Sequence, residues 1–463
     1  MAKRFLARSR RLDTTNDWQP RPLGELIRLQ KGVSYKGEFL DKPGPWLLGL
    51  GTIALGGGLM LDKARTYSGP IRDSQRASPG DLILAVVGIT PEGSVIGSPA
   101  LIPPTAVGEF AVTHHVARAE VISKDSADVR FLYYLLRDRE FADYVRGVQY
   151  GSTVPAVSIP DVLSYEAGIP PLPEQRAIAR VLGSLDDKIE LNRRMNQSLE
   201  EICRALFKFW FVDFGPVRAK AEGRWKKGES LPGMPADMWD LWPSEFVESE
   251  IGEIPRGWAC RTFQDVLHDL ESGSRPTGGA SENVDGAVPS IGAENVLGLG
   301  RYDYGKTRYV PRTFFEELKR GVLRPGDVLL YKDGAQIGRR SYLDEGFPFE
   351  ECCVNEHVFI LRAHPPLTQR YLYFWLDQDW MAEEIVSRNA GSAQPGLNQP
   401  AVYGLPVVVP SDGVIGAFDS RVAPLTQRIF SGQLESRTLG QVRDALLPKL
   451  LSGEIRVRGR GTQ

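Results

Sequence analysis

The longest regular pattern along the chain is an alternation of four- and three-residue steps between mostly apolar positions in residues 174–214. The positions are Ile178, Leu182, Leu185, Ile189, Asn192, Asn196, Leu199, Cys203, Leu206 and Trp210. This spacing predicts a helix with a coiled-coil seam. At 1.5 Å per residue the helix would be roughly 60 Å long, which is too long for one small domain to cover. We therefore expect another segment of the chain to pair with it.

The C-terminal region shows the same alternation, at Val422, Leu425, Ile429, Gly432, Ser436, Leu439, Arg443, Leu446 and Leu450. Pro424 is expected to break this region into a short helix and a longer one, because an internal proline costs about 3 kcal/mol. Pro448 is expected to end the helix before a strand-like tail. The two helices should form an antiparallel pair that holds two domains at its opposite ends. Their polar seam positions would fix the register at some loss of stability.

Short apolar runs broken by Gly and Pro flank both helices and predict domains of the α+β kind. The second of these regions repeats the first. Trp18 matches Trp258, and FLYYLL at 131–136 matches YLYFWL at 371–376, both at an offset of 240 residues (258 − 18). PGDLIL at 79–84 matches PGDVLL at 325–330, and a histidine follows in each copy, His115 and His357. The halves are therefore copies of one domain, and their different loops indicate two similar readers with different targets.

Composition and charge exclude several classes of protein. Lys and Arg total 56 and Asp and Glu total 58, so the net charge of −2 indicates no particular partner. No run of eighteen apolar residues and no signal peptide are present, so we expect a cytoplasmic protein. The four cysteines form no CxxC pair, and neither a disulfide framework nor a metal site is expected. A basic start could supply phosphate contacts from Arg4, Arg8, Arg10 and Arg11.

Catalytic motifs are nearly absent. Residues 300–307 fit the G-x-x-x-x-G-K-T pattern of a phosphate loop, but Pro311 stands where the required helix should follow. We expect a hairpin there instead, with Tyr302, Tyr304 and Lys306 at the surface or facing DNA. No adenine-methyltransferase [DNS]PP[YFW] loop is present. His114 and His115 lie in an alternating run, and a structural role is expected for both.

Three long motifs occur in order along the chain: PLPEQRAIARVLGSLDDKIELNRRMNQSLEEICRALFKFWFVDF, SEIGEIPRGW and RDALLPKLLSGEIRV. Together they closely resemble the specificity subunit of type I restriction-modification systems. The resemblance implies that each domain reads one half of a bipartite, asymmetric DNA target and that the helices set the spacing. It also implies two modification subunits that use S-adenosylmethionine and up to two restriction subunits that use ATP with Mg. The chain itself would bind no cofactor and catalyse no reaction.

The predicted fold class is α+β, with two repeated target-recognition domains separated by a pair of long antiparallel coiled-coil helices. The predicted boundaries are 1–173 for the first recognition domain, 174–214 for the central helix, 215–257 for a connector, 258–410 for the second recognition domain, 411–448 for the second helical region and 449–463 for the tail. The connector is expected to pack against other parts through Trp225, Trp239 and Trp242. The half-sites should lie about one helical turn apart on one face of the duplex.

Base reading requires donors and acceptors on loops that enter a groove. The candidates are taken from the loops that differ between the two copies: Ser34, Tyr35, Lys36, Gln149, Tyr150, Ser152 and Thr153 in the first, and Ser274, Arg275, Thr277, Lys332, Asp333, Asn389, Ser392 and Gln394 in the second. The aromatic end of the central helix, Phe207, Phe209, Trp210 and Phe211, is expected either to continue the seam or to dock a partner subunit, with docking favoured. No metal site and no catalytic residue are predicted.

Other functions remain compatible with the sequence. The chain could serve a type IIB-like enzyme, in which one partner combines methylation and cleavage. It could be a scaffold whose domains bind proteins and no DNA, or an ATPase that uses Lys306.

Overall fold

The computed structural model describes residues 18–88, 94–151, 153–281, 285–344, 346–388 and 396–457. These residues form two compact units. The first unit comprises residues 1–188 and 439–463, and the second comprises residues 189–438. The boundaries between the units therefore fall inside the two long helices. Within the described residues, no helix is both long and apolar enough to cross a membrane.

Before the first long helix, the described residues of the first unit form ten short strands and three short α-helices. Its strands are β1 (Gln19–Pro22), β2 (Ile27–Lys31), β3 (Trp46–Leu48), β4 (Arg65–Thr66), β5 (Arg76–Ala77), β6 (Leu82–Ala85), β7 (Pro99–Leu101), β8 (Phe110–Val112), β9 (Val116–Val121) and β10 (Glu166–Ile169). Its helices are α1 (Val129–Arg137), α2 (Arg139–Val148) and α3 (Ile159–Leu163). The long helix α4 (Leu172–Phe207) follows and contributes residues to both units.

The second unit repeats these elements after a connector. Its elements are α5 (Gly215–Ala221), β11 (Phe246–Ser249), β12 (Gly252–Pro255), β13 (Ala259–Thr262), α6 (Phe263–Val266), β14 (Leu267–Ser272), β15 (Val288–Ile291), β16 (Arg308–Val310), α7 (Arg312–Glu316), β17 (Val328–Tyr331), β18 (Arg340–Tyr342), β19 (Cys353–Val354), β20 (Val358–Ala363), α8 (Gln369–Leu376), α9 (Asp379–Ser387), α10 (Gln399–Tyr403) and β21 (Pro406–Val409). The second long helix, α11 (Asp412–Leu451), completes the repeat.

Sheet topology confirms the internal duplication. The antiparallel sheet β2-β9-β6-β7 has the same strand order as β14-β20-β17-β18. A second sheet, β4-β3-β8-β5, corresponds to β16-β15-β19, with one parallel pair in each, and the pair β1-β10 corresponds to β13-β21. The long helices begin at Leu172 and Asp412, which preserves the offset of 240 residues (412 − 172). Insertions are therefore confined to the loops between the fixed elements.

The two long helices pair antiparallel within each unit. In the first unit, Ile178 and Leu182 of α4 share an apolar core with Leu450 and Leu451 of α11. In the second unit, the ring of Phe207 packs edge-on against Phe418, with centroids 5.5 Å apart. The start of one helix thus lies beside the end of the other, which confirms the predicted orientation.

The polar seam positions are paired in one register. Asn192 is fully buried, and its Nδ2 donates to Glu435 Oε2 at 2.9 Å and to the Gly432 carbonyl at 3.3 Å. Asn196 donates to the Ile429 carbonyl at 3.1 Å, and a Cβ at Gly432 would lie only 2.8 Å from Asn196 Oδ1. Sliding one helix along the other would remove these bonds from the buried amide of Asn192 and the half-buried amide of Asn196, at a cost of about 1–3 kcal/mol for a buried group left without a partner.

The expected break at Pro424 is wrong, because α11 runs without interruption from Asp412 to Leu451. Val422 and Thr426, on either side of the proline, are fully buried. Packing of this face offsets the roughly 3 kcal/mol that an internal proline costs. Pro448 does not end the helix either. The residues after Leu451 form turns rather than a strand, and Arg456 binds Glu174 at 2.6 Å.

The preference for partner docking at the aromatic end of α4 is also wrong. Phe207, Trp210 and Phe211 are each at most 1% exposed and lie in the core of the second unit. Phe207 and Phe211 pack against Tyr371, with ring centroids 5.3 and 4.9 Å from it. These three residues continue the helix seam, and only Phe209 keeps partial exposure.

The connector packs through its tryptophans, as predicted. Trp225 and Trp242 are buried in the second unit, and Trp239 packs against the same core. Lys220 Nζ lies 3.6 Å from the centre of the Trp239 ring and donates to the carbonyls of Trp239 and Trp242. The connector is therefore part of the second unit rather than a free linker.

Candidate nucleic-acid interface

In each unit a glycine follows the strand before the first variable loop, Gly32 after β2 and Gly273 after β14, and it lies against the backbone of another strand. A Cβ at Gly32 would lie 1.8 Å from the Val112 carbonyl oxygen, and one at Gly273 would lie 1.6 Å from the Val354 carbonyl oxygen. Only glycine allows so close an approach of two chains. The close contact fixes where each variable loop begins. In the first unit this point lies beside the β8–β9 connection, and in the second unit it lies beside the β19–β20 connection.

In the first unit, backbone hydrogen bonds bring three of the predicted loops together. Val33 donates to Val112, and His114 donates back to Val33, at 2.8 and 2.9 Å. Val86, just beyond β6, donates to His115 at 2.9 Å and accepts from Val157 at 3.0 Å. The turn that carries Gln149, Tyr150 and Thr153 closes through paired bonds between Tyr150 and Ala156. The loops therefore meet at one edge of the unit.

The second unit forms the same edge. Lys332, just beyond β17, donates to the His357 carbonyl at 3.1 Å and accepts from Leu397 at 2.8 Å. Asp333 forms a bridge with Gly396. The edge thus combines the loop that follows β14, the β19–β20 connection, the end of β17 and the segment before α10. These are the positions that correspond to the edge of the first unit.

Most of the predicted contact residues are accessible at these edges. The exposed ones are Ser34, Tyr35, Lys36, Tyr150, Thr153, Ser274, Arg275 and Thr277, and the half-buried ones are Gln149, Lys332 and Asp333. Ser152, Asn389, Ser392 and Gln394 lie outside the described residues, as do Arg4, Arg8, Arg10 and Arg11. The ammonium of Lys332 lies 4.8 Å from the centre of the Phe359 ring, so the Lys332 side chain extends from the end of β17 towards the neighbouring strand β20.

A polar network in the second unit includes two residues that the sequence analysis did not select as site residues. Arg275 Nη2 lies 2.8 Å from Glu356 Oε1 and 3.5 Å from His357 Nε2. His357 Nδ1 lies 2.8 Å from Asp333 Oδ2. A groove of about 470 Å³ opens beside this network and is lined by residues that include Ser274, Arg275, Glu294, Arg308, Asn355 and His357. The sequence signal that could have identified His357 as a site residue was its match to His115 in the internal repeat.

The first unit has different chemistry at the same place. The ring of Tyr35 lies 6.2 Å from that of His114, which in turn lies 3.8 Å from the ring of His115. Burial, together with His114 and Lys31, lowers the pKa of His115. His115 is therefore a neutral imidazole at neutral pH, with one donor and one acceptor nitrogen. The two edges share a backbone but present different side chains.

Residues 300–307 do not form a phosphate loop. Thr307 is buried and donates to the Tyr302 hydroxyl at 3.2 Å, and Lys306 pairs with Asp303 at 3.1 Å. Strand β16 follows where a phosphate loop requires a helix. The segment lies in the connection between the antiparallel strands β15 and β16, in agreement with the predicted hairpin. The predicted surface position of Tyr302 is wrong, because this segment packs against α11: Tyr302 is buried, and the guanidinium of Arg437 lies 3.9 Å from the centre of the Tyr304 ring. Within the described residues, no group of three potential metal ligands occurs.

Comparison with known proteins gives one consistent result. Residues 15–201 match the family described as type I restriction modification DNA specificity domain. The chain is 26% identical over 372 residues to the type I restriction enzyme MjaIX specificity subunit of Methanocaldococcus jannaschii, covering 80% of this chain and 79% of that protein. It is also 26% identical over 373 residues to the type I restriction enzyme HindI specificity subunit of Haemophilus influenzae, covering 70% and 77%.

The fold has a counterpart among solved structures. The crystal structure of a type I restriction-modification system S subunit from M. genitalium covers 95% of this chain and 97% of that chain, with a TM-score of 0.54 and 16% identity. The duplicated sheets, the paired long helices and these relatives agree: residues 15–201 match the specificity-domain family, and most of the chain is similar in sequence to type I restriction enzyme specificity subunits.

Proposed function

We propose that the chain reads double-stranded DNA, with each unit recognising one half of a bipartite, asymmetric target. The observation that carries this proposal is the duplicated edge. The same backbone positions converge in both units, held by equivalent bonds at Val86 and Lys332. The side chains on this common framework nevertheless differ. A repeated framework with different donors and acceptors is what two readers of different base sequences require.

The residue types support two unlike half-sites. The first edge presents Tyr35, Lys36 and two histidines, whereas the second presents Arg275 among carboxylates. Arginine pairs with guanine, and carboxylates accept from the amino group of cytosine. The two edges would therefore select different bases, so the target would be asymmetric.

The chain would act without catalysis of its own, together with partner subunits. The proposed partners are two modification subunits, which would use S-adenosylmethionine, and up to two restriction subunits, which would use ATP with Mg. Modification subunits would place the methyl group on adenine N6, while this chain would determine where on the DNA the complex stops.

A second, mostly apolar stripe on α4 offers a docking surface in place of the buried aromatic end. It comprises Leu191, Met195, Ser198, Ile202 and Ala205, at heptad-like steps of four and three. Leu191 and Ile202 are 58% and 53% exposed, although α11 packs along the adjacent stripe. Such spacing fits a helix of a partner subunit. Ile202→Glu should abolish co-purification of the modification subunit, whereas the neighbouring exposed Glu201→Lys should not; retained co-purification of Ile202→Glu would contradict this docking site.

The proposal is tested by expressing the chain with its modification subunit and mapping N6-methyladenine across the host genome. A split, asymmetric motif is the expected result. A contiguous palindrome, or no added methylation, would contradict the proposal. Purified complex should also shift the mapped duplex in a gel, which a scaffold that binds no DNA would not do.

The helices would set the gap between the half-sites. Seven residues inserted into α4, with seven inserted at the paired level of α11, add two turns and about 10.5 Å. At 3.4 Å per base pair the gap should lengthen by about three base pairs, while both half-sites keep their sequence. An unchanged gap in the methylation map would refute this role of the helices.

A further inference from the structure

We propose that the second half-site contains a guanine read by Arg275, and that Glu356, His357 and Asp333 hold the guanidinium in position for this contact. The inference rests on the proposed function and goes further by naming the base and the residues that select it.

The guanidinium is held from one side. Arg275 Nη2 lies 2.8 Å from Glu356 Oε1, and its contact with His357 Nε2, at 3.5 Å, is at the long limit of a hydrogen bond. Within the described residues, the recorded polar contacts of Arg275 all involve Nη2. Of these two contacts only the one to Glu356 is short, so one hydrogen of Nη2 and those of Nη1 and Nε are available to a ligand. Guanine presents two adjacent acceptors, O6 and N7, in the major groove, and arginine satisfies both at once.

His357 is itself fixed, which makes it a positioning residue. Its Nδ1 lies 2.8 Å from Asp333 Oδ2, its backbone N–H donates to Asn355 Oδ1 at 3.0 Å, and its carbonyl accepts from Lys332. Its Nε2 lies 3.5 Å from Arg275 Nη2 and 3.3 Å from Glu356 Oε1, so the ring completes the polar network beside the guanidinium. The arrangement orders a long side chain before DNA arrives, so less conformational freedom is lost on binding.

The surrounding charge favours a base edge over a phosphate as the partner of Arg275. Arg275 and Arg308 line the groove together with Glu294, while the carboxylates of Glu356 and Asp333 lie against Arg275 and His357. A phosphate placed there would be repelled by the carboxylates, whereas the neutral edge of a base would not. Lys319 and Arg320, both exposed near Ser274, are better placed to hold the backbone.

The first unit has no equivalent arrangement. Tyr35 occupies the corresponding loop, and its ring approaches His114 rather than a carboxylate. Loss of Arg275 should therefore change one position of the second half-site only.

The test is selection of binding sites from a library of randomised duplexes by the purified complex, followed by sequencing. The variants are Arg275→Ala, Arg275→Lys, Glu356→Gln and His357→Gln. The matched control is Arg312→Ala, since Arg312 is also exposed and paired with one carboxylate, that of Glu351 at 2.8 Å, but it does not line the groove.

The wild type should select a guanine at one fixed position of the second half-site. Arg275→Ala should reduce that preference by about 5- to 150-fold, the loss expected for one bidentate contact. Arg275→Lys should retain affinity but lose discrimination, because an ammonium cannot make the paired contact. Glu356→Gln and His357→Gln should weaken the preference at the same position and leave every other position unchanged. Arg312→Ala should match the wild type.

Two outcomes overturn the inference while the proposed function stands: a bipartite motif without a guanine in its second half, or a guanine preference that survives in Arg275→Ala. Failure of Glu356→Gln and His357→Gln to alter that one position would overturn the positioning role. Absence of any bipartite motif from the wild type would reject the proposed function together with the inference.

Discussion

Asp186 joins three helices of the first unit, and its removal should destabilise that unit strongly. Asp186 on α4 accepts from the Tyr134 hydroxyl at 2.7 Å, from Arg137 Nη1 at 3.2 Å and from Arg443 Nη1 at 2.6 Å. Tyr134 is 1% exposed, and the side chains of Arg137 and Arg443 are 12% and 17% exposed. The polar seam position Arg443 is therefore the partner of a carboxylate rather than a packing defect.

The magnitude follows from these contacts. Asp186→Ala leaves the buried Tyr134 hydroxyl without its acceptor, which costs about 1–3 kcal/mol. Both arginines lose a charged partner while almost buried, although Arg443 keeps Asp444 at 2.7 Å and Arg137 keeps the Gly56 carbonyl at 3.2 Å. The total loss should be about 3–4 kcal/mol, which lies within the range for breaking a buried ion pair. For a unit of this size the melting temperature should fall by roughly 10 °C.

The assay is thermal and urea unfolding of the full chain, followed by circular dichroism. Asp444→Ala is the matched control, because Asp444 also binds Arg443 but is 62% exposed, and exposed pairs contribute at most about 1 kcal/mol. Equal midpoints for Asp186→Ala and Asp444→Ala would refute the assignment of the stability to the shared carboxylate.

Four further predictions follow from the described structure. Gly273→Val should abolish reading of the second half-site and leave the first intact, because a Cβ there would meet the Val354 carbonyl at 1.6 Å; selection of an unaltered motif would contradict this. Lys306→Ala should leave the ATPase rate of the assembled complex unchanged, since Lys306 only pairs with Asp303 at the surface. Burial raises the pKa of Cys203 to about 12 and that of Cys353 to about 11, so these thiols should resist a disulfide reagent at pH 8, when only the less buried Cys260 should react. Both folded pKa values exceed the unfolded value of about 8.5, so the free energy of unfolding should fall as the pH rises above about 8.5. A pH series of urea midpoints would show this fall.

The duplication and the helix pair could be predicted from sequence because both rest on regular spacing. Heptad-like steps locate a buried stripe, and a fixed offset of 240 residues locates a copied fold. The continuity of α11 could not be predicted in this way. Helix propensity at Pro424 is a local quantity, whereas the burial of Val422 and Thr426 depends on partners distant in sequence.

The site was only partly predictable for the same reason. The loops that differ between the copies contain Ser274, Arg275 and Asp333, and the fold does bring these loops to one edge. Glu356 and His357 lie between two strands, in a position that reads as a structural turn. Their proximity to Arg275 depends on strand pairing across about 80 residues, 357 − 275 = 82. The docking preference failed because the partner of Phe207 and Phe211 is Tyr371, more than 150 residues further along the chain (371 − 211 = 160), and this contact depends on tertiary packing.

The distribution of tryptophan gives the second unit its own optical signal. Seven of the nine tryptophans belong to residues 189–438, and only Trp18 and Trp46 belong to the first unit. Trp210, Trp225, Trp242, Trp258 and Trp375 are all at most 6% exposed. Intrinsic fluorescence should therefore shift to longer wavelength mainly when the second unit opens, while circular dichroism follows both units. Comparing the two signals on one sample separates the melting of the two units without any added label.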